Sequence, residues 1–397
     1  MTNWVGRTFE AEVGPVAHGG HCVSRVEGRV VFVRHALPGE LVLVEVTEDK
    51  GGSFCRADAV RVLRAAPERV EPPCPLAAPG RCGGCDWQHA TPEFQRELKA
   101  RVVEEQLRRL AGIERAVTVE ALPGGPLRWR TRVRLVAGPD GRAGLRAHRS
   151  HRVVPLDDCP ISVPLDPVLS RRWRPGAEVE FTSDGDGQAH VRELGVVRGK
   201  RRARQVSGGL AVQHAAGRDW KLDAHGFWQV HPAAAEEFAA VAGEWAAAPS
   251  GGLAWDLYAG VGLFASVLAG QVGQDGEVVA VESGRRAVAD GEAALADLPQ
   301  VRWRSGRVEH VVRDLPGRPD VVVLDPPRSG AGRAVVESIV EREPARVVYV
   351  ACDPAALARD LATFGESGYR LARLRAFDAF PMTHHVECVA LVQPDEA

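Results

Sequence analysis

The chain has 397 residues and lacks several things. It has only four lysines, Lys50, Lys99, Lys200 and Lys221, so arginine carries its positive field. Arginine suits phosphate because its planar fork donates two hydrogen bonds at once. No run of 18 or more apolar residues occurs, which excludes a membrane-spanning helix. The opening MTNWVGRTFEAEVG lacks the basic start and apolar core of a signal peptide, so a cytoplasmic protein is expected. There is no internal repeat and no low-complexity tail. A net charge of −2 excludes a protein that is basic throughout.

The charge that is present is unevenly spread. Residues 126–152 carry eight arginines and one acid, Asp140, and residues 192–204 carry six basic residues and one acid, Glu193. Such local patches make nucleic acid a candidate partner despite the neutral total. At 45% hydrophobic and 26% charged, the composition is that of a soluble globular protein long enough for two or three domains. The eight cysteines do not read as a disulfide framework in a cytoplasmic chain, so a cluster among them points to metal or catalysis.

The pattern along the chain divides it in three. Residues 1–66 alternate apolar and polar positions between glycine turns, as in RVVFVRHALPGELVLVEV, which predicts a small β-barrel. A proline-rich break follows. Residues 67–219 form a β-rich, arginine-rich middle, interrupted by a helix over 91–111 that opens on Thr-Pro and is expected to pack on the last domain. Residues 220–397 form that domain. From Gly252 onward, short apolar strands alternate with alanine-rich helices, the signature of βαβ units and a parallel sheet. The fold class is therefore α/β, a Rossmann-like domain preceded by an OB-like barrel and a β-rich centre.

Four constellations carry chemistry. Cys74, Cys82 and Cys85 are spaced C-x7-C-x2-C, and Cys159 lies downstream in DDCPIS. Four thiolates suffice for zinc or an iron–sulfur cluster, and spacing alone does not separate the two. A fourth ligand leaves no open iron for radical chemistry. In LRWRTRVRLV, Arg128, Arg130, Arg132 and Arg134 recur at period two. On one strand they would share a face, either for RNA or as a solvated edge. LAWDLYAGVGLFA and EVVAVE place Asp256, Gly260, Gly262 and Glu282 at the ends of two successive strands, where a nucleotide-bearing cofactor binds. DVVVLDPPRSG ends a strand on Asp325, typical of methyltransferases that use S-adenosylmethionine. RVVYVACDPAALARDL then ends the next strand on Cys352, with Glu387 on another strand facing the same region. Such a thiol is either a nucleophile or a small buried hydrophobe.

Taken together these residues resemble the RNA uracil-5-methyltransferase family, in the branch with an N-terminal TRAM domain and an iron–sulfur cluster that methylates 23S rRNA. HGGHCVSRVEGRVVFVRHALPGE resembles a TRAM barrel, and CGGCDWQH with CPI resembles the cluster motif. GFWQVHP resembles the family's Phe-x-Gln-Val-Asn segment, with His231 at the asparagine position. The motifs DLYAGVGLF, DPPRSG, VACDPAALARDL and FPMTHHVE follow in the family's order. The resemblance implies a covalent mechanism with Cys352 as nucleophile and Glu387 as base. It implies S-adenosylmethionine near Gln229, Asp256, Tyr258, Gly260, Gly262, Glu282 and Asp325. The uracil would meet Phe227, Gln229 and Asp325, and Arg130 and Arg132 would grip flanking RNA. A 4Fe-4S cluster on Cys74, Cys82, Cys85 and Cys159 is implied as well. The RNA partner is rRNA first and tRNA second, with no membrane and no obligate protein partner.

Two rivals remain open. An RNA cytosine-5-methyltransferase would carry a cysteine straight after Asp-Pro-Pro, where this chain has Arg328. A non-catalytic RNA-binding or ribosome-assembly protein on the same scaffold would not need both Cys352 and Glu387.

Overall fold

The computed structural model describes residues 3–197 and 200–395. Its first unit is a five-stranded sheet formed by β1 (Thr8–Glu12), β2 (Cys22–Val26), β3 (Arg29–Arg34), β4 (Leu41–Glu48) and β5 (Phe54–Arg64), in the order β1-β4-β5-β3-β2. Alternation puts Val42, Val44 and Val46 of β4 inside. The chain beyond β1 closes the barrel, because the Gly14 N–H donates to the Val23 carbonyl (2.8 Å) and the Val23 N–H to that of Pro15 (2.9 Å).

Helix α1 (Pro92–Gln106) starts on Thr91, whose hydroxyl accepts from the Phe94 N–H, and ends in a wider π turn over Leu107–Ala111. It packs against two units. Phe94, Leu98 and Val102 join the barrel core, while Val103 and Leu107 join the core under the C-terminal sheet. Lys99 is fully buried and pairs with Asp378 at 2.5 Å.

The next strands are β6 (Val119–Ala121), β7 (Arg132–Ala137), β8 (Ala143–Arg146) and β9 (Val153–Pro155). After the short α2 (Asp166–Leu169) come β10 (Glu178–Ser183), β11 (Ala189–Val197) and β12 (Lys200–Ser207). All except β6 form one antiparallel sheet, β12-β11-β10-β7-β8-β9. The hairpin β13 (Leu210–Ala215) and β14 (Arg218–Asp223) leads out of it.

The expected arginine strand is shorter than its pattern. It begins at Arg132, because Arg128 is left-handed (φ 58°) and residues 128–130 bond elsewhere. The N–H groups of Arg128 and Arg130 donate to the carbonyls of Pro160 (2.9 Å) and Ile161 (2.8 Å), tying this segment to the Cys159 turn. Nor do the four guanidiniums share a free face. Arg128 pairs with Asp158 (2.6 Å) and Arg134 with Glu180 (2.5 Å). Arg130 donates to the Arg132 carbonyl (3.2 Å), and Arg132 donates to the carbonyls of Ala224 and Gly226.

The C-terminal unit contains α3 (Ala234–Ala246), β15 (Leu253–Leu257), α4 (Leu263–Val272), β16 (Glu277–Glu282), α5 (Arg285–Ala294), β17 (Val301–Ser305) and α6 (Val308–Val311). It continues with β18 (Val321–Leu324), α7 (Arg333–Val340), β19 (Arg346–Ala351), α8 (Pro354–Glu366), β20 (Tyr369–Asp378) and β21 (Glu387–Pro394). The sheet order is β17-β16-β15-β18-β19-β21-β20-β6. The first five strands are parallel, and β21 inserts antiparallel between β19 and β20. Alternate residues feed two cores. Ala254, Ala280, Val321 and Val323 meet α3 and α4, while Trp255, Val279, Val322 and Leu324 meet α7, α8 and the end of α1. The edge strand β6 comes from the middle of the chain and runs parallel to β20. Three residues carry too little periodicity to announce it. No helix among the described residues is long and apolar enough to cross a membrane.

Candidate active site

The parallel strands end together, and the turns after them hold the chemistry. Ala351 pairs with Cys388 across β19 and β21, so Cys352 and Glu387 form the next step of that antiparallel register. Cys352 is half-buried and lines a cavity with Arg328, Asp353, His384 and His385. The same cavity is walled by His18 and Gly20 of the barrel. Burial pushes the Cys352 thiol up to about 12, with the charges of Glu387 and Asp325 adding to the effect and Arg328 opposing it. Glu387 is buried and raised well above an ordinary carboxylate, first by burial and then by Asp325. Burial raises Asp325 to about 7. Burial thus disfavours the charged form of both the nucleophile candidate and its partner.

The turn after β15 is open and polar. The Asp256 carboxyl is fully buried, accepts the Ala265 N–H at 2.8 Å with Oδ2 and leaves Oδ1 without a partner. Burial is the main cause raising it to about 8. Gly260 (φ 57°) has open space where a Cβ would point, and its N–H donates to Glu282 at 3.0 Å. Gly262 is a packing glycine instead, since a Cβ there would stand 2.8 Å from Leu295 and 3.1 Å from the Trp303 ring. Tyr258 is left-handed, and its hydroxyl donates to Glu309 at 3.5 Å. An orphan carboxyl oxygen beside an open glycine turn fits a cofactor that brings hydroxyls or a charged amino group.

In the segment after β14, Phe227 is 70% exposed while its neighbour Trp228 is buried and Gln229 half-buried. An exposed phenylalanine anchored beside a core tryptophan is available for stacking. His231 is buried and stacks on Trp129, with centroids 6.0 Å apart and planes at 18°. Its Nδ1 accepts the Ala233 N–H.

Cys74, Cys82, Cys85 and Cys159 all line one small cavity, together with Gln88 and Arg130. Gln88 donates to the Cys85 sulfur (3.0 Å) and accepts the Cys74 N–H (3.0 Å). Among the described residues, no group of three or more His, Cys, Asp or Glu side chains is arranged to hold a metal ion.

The residue after Cys85 reaches the loop that precedes β21. Asp86 accepts from His384 through the ring Nδ1 (2.7 Å) and the backbone N–H (3.1 Å), and Met382 is held by Gln95 of α1. These contacts, and the barrel wall at His18, join segments about 300 residues apart and have no signal in the sequence.

A family model described as tRNA (Uracil-5-)-methyltransferase matches residues 318–394, and one described as TRAM domain matches residues 4–60. An uncharacterized RNA methyltransferase of Streptomyces avermitilis is 46% identical over 98% of this chain and 99% of its own length. One of Corynebacterium glutamicum is 39% identical over 97% of each chain. The fold is that of the crystal structure of Pyrococcus abyssi tRNA (uracil-54, C5)-methyltransferase in complex with S-adenosyl-L-homocysteine, with a TM-score of 0.73 at 21% identity over 97% of this chain and 100% of that one. The chain is an RNA methyltransferase and belongs to the RNA uracil-5-methyltransferase family.

Proposed function

We propose that this enzyme methylates carbon 5 of one uridine in RNA through a covalent bond between Cys352 and the base. The observation that carries this reading is the register that sets Cys352 opposite Glu387, beside Asp325, at the C-terminal edge of the sheet. Carbon 5 of uracil is too weak a nucleophile to take a methyl group unaided. Cys352, once its proton has left to solvent, bonds to carbon 6 and turns the ring into an enolate. The donor, S-adenosylmethionine, supplies an electrophilic methyl group to carbon 5. Glu387 as carboxylate then removes the carbon 5 proton, the sulfur–carbon 6 bond breaks, and the thiolate is restored. Burial gives the Glu387 carboxylate the strong proton affinity this step needs.

Asp256, Glu282, the Gly260 turn, Tyr258 and Gln229 would hold the donor. Phe227 would stack on a uracil turned out of its helix, with Gln229 and Asp325 on its polar edge. The four cysteines would hold a 4Fe-4S cluster in a structural role, between the RNA-facing middle and the Asp86 clasp. Because the resemblance to the cluster-bearing branch points to 23S rRNA, rRNA is the substrate proposed. The test maps 5-methyluridine in rRNA and tRNA of a deletion strain complemented with wild type or Cys352→Ala. A single rRNA uridine that loses its methyl group and regains it only with wild type is expected. An unchanged map in both RNAs overturns the reading.

A further inference from the structure

The barrel contributes a side chain to the catalytic cavity. The loop between β1 and β2 lays His18, Gly19 and Gly20 along the wall that also holds Cys352, Asp353 and His384. The His18 Nε2 meets the Asp353 carboxylate at 3.0 Å, and Asp353 directly follows Cys352. The other Asp353 oxygen accepts the Ala356 N–H (2.8 Å) and caps α8, so this carboxylate is fixed from two sides. The loop has little room to sit elsewhere. Gly20 is left-handed, a Cβ there would stand 2.6 Å from that of His384, and its carbonyl accepts the Trp87 indole N–H at 3.0 Å.

We infer that His18 is a positioning residue for Cys352, acting through Asp353, an inference that rests on the nucleophile reading above. The pair is partly exposed, with side chains 41% and 24% accessible, so it contributes little to folding stability. Its importance lies in what stands beside it. The groups that bear on Cys352 are Glu387, Asp325, Asp353 and Arg328, three acids against one cation. An unbalanced Asp353 carboxylate next to the sulfur opposes thiolate formation. The His18 ring, held against that carboxylate, offsets its field. His18 also faces Arg359 and Glu105, and Asp353 is the group that raises it above the ordinary histidine value.

The test uses the full chain with His18→Ala, His18→Gln, Asp353→Asn and the double variant His18→Ala/Asp353→Asn. Alkylation of Cys352 by iodoacetamide is followed by mass spectrometry as a function of pH, beside kcat and KM for RNA. His18→Ala and His18→Gln should alkylate about tenfold more slowly at neutral pH, the effect of moving a thiol by one pKa unit. Their kcat should fall while the KM for RNA holds. The double variant should recover the wild-type alkylation rate, because asparagine still caps α8 but carries no charge. A His18→Gln profile that superimposes on wild type overturns the inference. So does a double variant as slow as His18→Ala, which would mean that only the seat of the loop was lost. Full methyl transfer by Cys352→Ala would instead overturn the nucleophile reading, and the alkylation series would still report on the His18 contact.

Discussion

Glu387 opens β21 directly opposite the residue that follows β19, one step beyond the hydrogen-bonded register of Ala351 and Cys388, and that residue is Cys352. Glu387 is fixed by its strand, and Cys352 is held in the bend one residue past the end of β19. Rigid strand ends are where a two-step covalent reaction can hold its nucleophile and base in fixed relation.

Cys352→Ala should abolish methyl transfer while donor binding and the thermal midpoint hold. The side chain is half-buried and small, so its truncation leaves only a small void. Activity in a labelled-methyl assay and calorimetry of the same sample check both halves.

Glu387→Gln should slow release more than attack. Proton removal precedes loss of the thiolate, so a methylated protein–RNA adduct should accumulate and survive denaturing electrophoresis. Glutamine fills the same buried space without a base, so the fold should tolerate it.

Asp256→Asn should gain stability relative to wild type as pH rises. In the folded chain Asp256 is raised to about 8 from an ordinary 3.8, so it is buried neutral below that point. A carboxyl raised on folding contributes most below its unfolded value, and that contribution is lost as pH rises through the folded one. Asparagine has no such loss and keeps the acceptor for the Ala265 N–H. Thermal midpoints of the donor-free proteins should therefore diverge in favour of the variant as pH rises from about 4 to about 8, between the unfolded and folded values.

Arg132→Ala should weaken RNA binding without changing its salt dependence. The guanidinium is spent on the carbonyls of Ala224 and Gly226, which shape the turn just before Phe227. Charged hydrogen bonds of this kind are worth about 1.5–3 kcal/mol each, enough to loosen that turn. A slope of log affinity against log salt that falls by about one would instead mark Arg132 as a phosphate contact.

Protein purified without oxygen should be brown and contain iron and sulfide, and Cys85→Ser should lose both. Stoichiometric zinc without iron would keep the four ligands and replace the cluster. Because Asp86 next door holds His384, Cys85→Ser should also lower kcat more than donor affinity.

Much of this is legible in the chain alone, because it is local. Apolar periodicity and glycine turns mark the strand–turn–helix units after Gly252, since alternate strand residues must bury against helices on both faces. Asp325, Cys352 and Glu387 can be placed at strand ends for the same reason. Other features only the tertiary structure decides. The pattern LRWRTRVRLV fixes which side chains are apolar, but whether Arg132 meets RNA or a backbone carbonyl depends on where the Ala224 turn folds back. Three residues of β6 reach the catalytic sheet because β20 leaves an open edge beside them. His18 and Asp353 meet across 335 positions of chain, and so do Asp86 and His384 across 298. Periodicity records that a face is buried. Which distant surface buries it is set by how whole units pack, and that is why the cavity's barrel wall and its clasp have no trace in any one stretch of sequence.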